Sequence, residues 1–479
     1  MSNVGKQKKF ETKFELNFGK RSKKSFRYHF QMTPEERKEA IMRIHNQLGW
    51  PYQKREEEAE VEDKIDWKEK VEKATVTPEI CNVVSNKIMS LEKARADRIC
   101  AVFDFDAFFV NVALLKYPDA FKNKPVVICE GECKKTCCTV NYVGREYGIQ
   151  KAMPFWMAQR MCQRAQEFGM PYANLQVVQK DEQKQQEISR VAVDIYREYD
   201  DTCEPSMQDE ARVELGPYLL KRFGSIDMHH AILVVKEIRS RVYSATGCTV
   251  SAGIASNFAM AKMASDVKKP DNQFAVPNED VPSFLSSMPV QKVPGIGKVK
   301  MKHLNSFGVY NVKDLKEKLP LIFTVGYHAH ELLKCAIGWD DERNKPNPLP
   351  DKAQKTENFP EPLSGSALQA KFDVFCTELA KKLTVERISK KTKGWRNVNM
   401  YGKGVTMKYT TVSHLPYKYV VKSEKGKKQV SIRSATDLKK ILSPYLPSKA
   451  VFNLGIYITN LEETQSNTIE FYGKRKRED

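Results

Sequence analysis

The chain has 479 residues, 41% of them hydrophobic, with 79 lysines and arginines against 60 aspartates and glutamates, a net charge of +19. That length exceeds one compact core and suits about three domains, while the apolar content excludes a disordered polyelectrolyte. No run nears the roughly 18 apolar residues of a membrane span, and "MSNVGKQKKF" lacks an apolar signal core, so the reading is a soluble, intracellular protein with no membrane-spanning segment.

The basic excess is unevenly placed. The last 129 residues hold 25 basic and 13 acidic residues, a concentration that favours a polyanionic partner, either nucleic acid or an anionic membrane surface. Eleven cysteines without framework spacing suit reduced thiols.

The first thirty residues read as a basic tail. "MTPEERKEA" from Met32 predicts a helix, with Thr33 as cap, Pro34 at the first helical position and Glu36 closing a capping box. A second Thr-Pro-Glu start at Thr77 opens another helical stretch that runs to Asp97. Both precede the first strand, so they read as an appended helical module over residues 1–98. "ICAVFDFDAFFVNV" (Ile99 to Val112) then carries an apolar strand into Asp104 and Asp106, followed by Phe108 and Phe109. Buried ionised carboxylates require a counter-charge, and strand alternation puts Asp104 and Asp106 on one face. "CEGECKKTCC" crowds Cys129, Cys133, Cys137 and Cys138 with no histidine nearby, which favours a thiol-rich hairpin over a structural zinc site.

Ile188, Val191, Ile195 and Tyr199 share one predicted helical face, as do Ile232, Val235, Ile238 and Val242, and Cys248–Ser256 has strand character. Residues 99 to about 280 therefore read as an α+β unit. "VPGIGKVKMKHL" (Val293 to Leu304) has the form of a helix-hairpin-helix DNA clamp. Its turn at Gly295 and Gly297 exposes backbone N–H groups to a phosphate beside Lys298 and Lys300. "NKPNPLPDKAQKTE" (Asn344 to Glu357) is a proline-rich linker. A helix near 369–390 and strands near 404–412, 417–422, 428–432 and 451–459 predict a basic α+β module. The closing run Lys474 to Arg477 reads either as a nuclear localisation signal or as a solvated end.

A second acidic pair, Asp209 and Glu210, lies in "EPSMQDEARVEL". Hard oxygen ligands on short strands suit Mg²⁺, and two such ions about 4 Å apart would activate a 3′-hydroxyl and stabilise leaving pyrophosphate. Thr139, Tyr142 and Arg145 in "TVNYVGREYG", with Lys268 and Lys269 in "SDVKKPDN", supply the hydroxyl and cationic groups that a triphosphate needs.

In order and spacing these motifs resemble the Y-family translesion DNA polymerases, closest to the DNA polymerase kappa and bacterial polymerase IV branch. "DFDAFF" resembles the first palm motif, "NYVGREYGIQKAMP" the fingers motif and "SMQDEA" the second metal motif. "AGIASNFAMAKMASDVKKP" is similar to the palm segment that ends in a phosphate-binding lysine, and "VPGIGKVKMKHL" to the thumb hairpin. The resemblance implies an α+β right-hand polymerase. Its palm would be 99–106 and 181–280, its fingers 107–180, its helical thumb with helix-hairpin-helix 281–343, its linker 344–357 and its α+β little finger 358–462. Before these comes an N-clasp-like helical extension at 1–98, and after them a tail at 463–479.

It also implies site roles. Asp104, Asp209 and Glu210 would be catalytic metal ligands with the Phe105 carbonyl, holding two Mg²⁺ ions, with Mn²⁺ able to substitute. Asp106 would be a supporting carboxylate. Tyr142, Arg145 and Lys269 would hold the triphosphate with help from Thr139. Phe109 would be the steric gate under the sugar, with Phe108 anchoring the backbone beside it. Primer-template DNA and deoxynucleoside triphosphates are the implied partners, and the nucleus the implied location. Gln465, Phe471 and Tyr472 have the spacing of a sliding-clamp binding box, with Thr468 in its aliphatic slot; a tail that merely contains aromatics is the other reading. The motif departs from the family pattern in the extra Gln208 and in Arg212, which replaces a tyrosine; a one-residue strand insertion flips side-chain facing unless a bulge absorbs it. Those departures keep open a catalytically silent DNA-binding scaffold, and palm-type carboxylates alone would also suit a nucleotidyl cyclase.

Overall fold

The computed structural model describes residues 33–48, 67–94, 98–117, 119–121, 123–130, 136–170, 173–203, 208–344, 352–388, 395–411, 416–422 and 432–463. Three helices come first: α1 (Pro34–Gln47), α2 (Trp67–Glu72) and α3 (Pro78–Lys93). The capping box of Thr33 and Glu36 forms, and the Thr77 hydroxyl accepts from Ile80 N at 3.4 Å. These appended helices pack onto the modules that follow them. Helix α1 buries Ala40, Ile41 and Ile44 in the fingers core. Helix α3 buries Val84 against the thumb, where Trp67 of α2 meets Tyr327 edge-on at 4.7 Å.

Strand β1 (Cys100–Phe105) leads through a turn into α4 (Phe108–Leu114). The fingers follow: β2 (Val126–Glu130), β3 (Thr136–Val140), α5 (Tyr142–Glu146), α6 (Phe155–Arg164) and β4 (Gln176–Val177), with strand order β3-β2-β4. Cys129 and Cys137 are register partners across the β2–β3 hairpin, which accounts for the cysteine-rich run; Cys133 lies outside the described residues.

Next come α7 (Glu182–Arg197), β5 (Glu210–Glu214), α8 (Gly216–Phe223), α9 (Met228–Thr246), β6 (Val250–Ala255), α10 (Phe258–Ser265) and β7 (Gln273–Ala275). The palm sheet runs β5-β1-β6-β7. Strand alternation splits β1 between two cores. Ala101, Phe103 and Phe105 pack with Ile188 and Tyr196 of α7 and Val235 and Ile238 of α9, while Cys100 and Val102 pack with α10 on the opposite face. Gly253 in β6 makes that second approach close, since a Cβ there would lie 1.9 Å from the Ala261 carbonyl oxygen. Only a residue without a side chain lets α10 lie so near the sheet.

The thumb is α11 (Val281–Ser286), α12 (Lys298–Ser306), α13 (Val312–Val325) and α14 (Ala329–Ile337). The C-terminal module has its own core, built on Phe372, Phe375, Val405, Met407, Ile456 and Ile458. It comprises β8 (Lys352–Leu363), α15 (Gly365–Lys381), β9 (Thr384–Ile388), β10 (Trp395–Thr411), β11 (Pro416–Lys422), α16 (Ala435–Leu442) and β12 (Val451–Glu463). Strand order is β11-β10-β12-β8, with β9 paired to β10.

Two expectations change here. The helix spans 365–381 rather than 369–390, and residues 352–357 of the expected linker are the start of β8. Strand β8 lies at the sheet edge, where charged and polar side chains are tolerated, so its polar start, which directly follows a proline-rich run in the sequence, resembled a linker. Of the strand expected near 428–432, all but residue 432 lies outside the described residues. Among the described residues no helix is long and apolar enough to cross a membrane.

Candidate active site

The face of β1 that carries Cys100 and Val102 toward α10 carries Asp104 next, at the strand's end. Asp104 is the register partner of Glu210 on β5 and of Ser251 on β6. The side chains of Asp104 and Glu210 are 15% and 9% exposed, so water cannot neutralise them. Two lysines do. Lys262 of α10 places its ammonium 2.6 Å from Glu210 Oε2 and also bonds Asp104 Oδ2. Lys269 bonds Asp104 Oδ1 and lies 3.4 Å from Asp266. Burial alone would lower the Lys262 pKa, but the charges of Asp104 and Glu210 carry it above its usual value. Asp209 sits immediately before β5, and its carbonyl accepts from Phe105 N at 2.9 Å. Burial, followed by the charge of Asp104, pushes its carboxyl up.

Gln208 precedes β5, so the extra residue falls outside the strand and Glu210 remains opposite Asp104. Arg212, two residues along the same face, is 2.6 Å from Glu342 Oε2 and lies over the Phe258 ring.

Asp106 lies just past the end of β1 and is 2% exposed. It accepts from Ser251 Oγ at 2.7 Å, Asp271 N at 2.8 Å, Thr249 Oγ1 at 2.9 Å and, at 3.4 Å, the Tyr142 hydroxyl. Burial pushes its carboxyl up, opposed by those bonds and by the charge of Lys269. A carboxylate this occupied is structural support, joining palm to fingers.

The turn after Asp106 holds Ala107 at φ +43°, left-handed backbone that is strained for a residue with a Cβ. It sends the next two rings in different directions. Phe108 goes into the core, 2% exposed, with its ring 4.7 Å from that of Phe105. Its side chain could therefore serve a substrate only by supporting its neighbours. Phe109 is half-buried, with Lys180 Nζ 5.3 Å from its ring centre. On the fingers, Thr139 is buried in β3, and the Arg145 guanidinium lies 4.5 Å over the Tyr142 ring. Burial pushes the Tyr142 hydroxyl up.

In the thumb hairpin Gly295 (φ +90°), Gly297 and Lys298 are exposed, while Lys300 turns to Glu331 at 2.5 Å. A groove of about 460 Å³ joins Lys262 to this hairpin past Arg212, Lys300 and Trp339. Gln465, Phe471 and Tyr472 lie outside the described residues.

Sequence reasoning missed Lys262, Thr249 and Ser251. Lys262 did leave a signal, as the only charged residue of the helix "FAMAKMAS". The donor set of Asp104, Asp209, Glu210 and the Phe105 carbonyl is all hard oxygen and short of positive charge, which fits a divalent ion in chemistry. As they stand, no three acidic, cysteine or histidine side chains converge to hold one among the described residues, because Lys262 lies between Asp104 and Glu210.

Residues 103–266 match the impB/mucB/samB family, and residues 278–309 match the HHH motif of the IMS family. The DNA polymerase IV of Xanthomonas campestris pv. campestris strain 8004 is 32% identical over 269 residues, covering 55% of this chain and 70% of that protein. The chain belongs to the Y family of DNA polymerases. A second family relative, DNA polymerase IV of Neisseria meningitidis serogroup A strain Z2491, is 34% identical over 240 residues. That match covers 50% of this chain and 63% of the relative, so it falls short of the relative's full length. The solved Y-family DNA polymerase chimera Dbh-Dpo4(243-245)-Dbh has the same fold, with a TM-score of 0.57 at 21% identity, covering 76% of this chain and 99% of that one. These sequence relatives are bacterial and lend no support to a nuclear address.

Proposed function

We propose that the protein is a template-directed DNA polymerase of the translesion type, adding deoxynucleotides to a primer 3′-hydroxyl opposite damaged template. The observation that carries this reading is the pairing of Asp104 with Glu210 across β1 and β5, with Asp209 beside them, while Tyr142 of α5 reaches Asp106 and carries Arg145 over its ring. The same register speaks against a silent scaffold, since the extra Gln208 leaves the two carboxylates opposed.

Asp104, Asp209, Glu210 and the Phe105 carbonyl would hold two divalent ions, Mg²⁺ with Mn²⁺ able to substitute. When bound, such ions supply Lewis-acid charge at the attacking and leaving oxygens. Tyr142, Arg145 and Lys269 bind and orient the triphosphate, and their charge offsets that of the phosphates. Phe109 closes the sugar pocket on its 2′ side. The thumb hairpin at Gly295, Gly297 and Lys298 and the basic C-terminal module grip primer-template DNA by its phosphates.

Primer extension with Asp209→Asn and Glu210→Gln tests the assignment. Each should lower extension about a thousandfold, the several kcal/mol associated with metal charge stabilisation, while DNA affinity stays within about twofold of wild type. If both variants extend primers at near wild-type rates, the active-site assignment is wrong.

A further inference from the structure

The N-terminal helix α1 packs into the fingers core, mainly against α6, and three of its side chains also reach the end of α5 and the turn after it. Helix α5 has only five residues, too few to hold its own orientation. Its first end is anchored by Asn141, whose side chain accepts from Gly144 N at 2.8 Å and Val126 N at 3.0 Å and donates to the Lys124 carbonyl at 2.9 Å. Its other end turns back through Gly148, at φ +77°.

That turn is fitted beneath α1. A Cβ on Gly148 would lie 2.4 Å from Ile41 Cγ2 and 2.9 Å from Met161 Cε, so a methyl group there would have to displace Ile41. His45 is fully buried and its Nε2 lies 3.0 Å from the Gly148 carbonyl oxygen. A carbonyl only accepts, so the imidazole carries its proton on Nε2 and donates. Arg37 lies 3.4 Å from Glu146, the last residue of α5. Helical spacing divides the faces of α5: Val143 and Glu146 turn toward α1, leaving Tyr142 and Arg145 together on another side.

We propose that α1 is the positioning element of α5, with His45 and Ile41 holding the Gly148 turn so that the N-terminal extension sets the affinity for the incoming nucleotide. The proposal rests on the reading that Tyr142 and Arg145 bind its triphosphate. His45 and Ile41 act through α5 and touch no substrate. Without the imidazole, the Gly148 carbonyl loses its buried donor, the turn relaxes, and Tyr142 and Arg145 lose their fixed orientation, Tyr142 first through its bond to Asp106.

Single-nucleotide insertion kinetics on the full chain test this. His45→Leu should raise KM for the nucleotide about tenfold, the size of one lost buried hydrogen bond felt by the bound triphosphate. The kcat and DNA affinity should stay within about twofold. His45→Gln, whose amide can donate to the same carbonyl, should restore KM. Ile41→Ala should raise KM in the same direction, and it decides the matter if His45→Leu shows no folding transition. Glu39→Ala, on the exposed side of α1 where Glu39 pairs with Arg43, should change nothing. A purely structural role would instead lower the melting temperature and the active fraction while leaving KM unchanged. Arg145→Ala runs alongside. If it raises KM while the α1 variants do not, the positioning role is overturned. If Arg145→Ala leaves KM unchanged, the triphosphate reading of α5 falls, and the proposal with it.

Discussion

Replacing Lys262 with methionine removes one of the two ammonium groups that neutralise the palm carboxylates. At 2.6 Å from Glu210 Oε2, an effective dielectric constant of about 20 gives roughly 6 kcal/mol of attraction before dehydration is counted. Breaking a fully buried ion pair costs about 3–5 kcal/mol because a charge is left unpaired. The Lys262 side chain is 31% exposed, so water takes up part of that loss, and about 2 kcal/mol is expected for Lys262→Met. That is a melting temperature lower by roughly 4–8 °C. The assay is thermal unfolding at neutral pH in a chelator, with Glu210→Gln and the double variant completing a cycle. The double variant should melt above the value expected from adding the two single effects, because the stranded charge is gone. A divalent ion should raise the melting temperature of Lys262→Met more than that of wild type, since it supplies the missing positive charge. If Lys262→Met melts with wild type and the cycle is additive, the lysine is not the counter-charge and the reasoning fails.

Phe109→Ala should raise ribonucleotide insertion far more than it changes deoxynucleotide use, measured with matched substrates. A variant that melts normally yet still rejects ribonucleotides would remove the gate. Phe108→Ala, in contrast, should lower the melting temperature, since truncating a buried phenylalanine costs about 3–5 kcal/mol. Removing the C-terminal module should weaken DNA binding and flatten its salt dependence, by about 0.9 in the log–log slope for each phosphate no longer neutralised; an unchanged slope would count against that module. Glu214 carries a pH signature. Burial would raise its carboxyl, but hydrogen bonds from Arg98 and Arg343 and their charges hold it below the usual 4.5. A depressed carboxylate contributes stability above its unfolded pKa and loses it as pH falls through the folded one. The acid limb of a stability–pH curve, below about 4.5, should therefore be shallower in Glu214→Gln, and an unchanged limb would show that the cluster is not pH-linked.

Several features were legible because their causes lie within a few residues of one another. The capping box of Thr33 and Glu36, the buried run ending at Asp104 and the glycine turn before Lys298 are local chemistry, and the motif order carried the family. Tertiary structure decided what depends on residues far apart in the chain. Lys262 reaches Asp104 across 158 positions, and Asp106 draws donors from Thr249 and Asp271, 143 and 165 positions away. No periodicity marks such pairs; they meet because Gly253 lets α10 lie against β6 and because the sheet puts β6 beside β1. The N-terminal helices were visible as helices, but an amphipathic face does not name what it covers, and only packing assigned α1 to the fingers and α3 to the thumb. Strand β8 was hidden for a related reason. At a sheet edge half of the backbone pairing goes unused, and with one face toward solvent only alternate residues are buried, so a charged, polar segment such as residues 352–357 can be a strand there and read as a linker in the sequence.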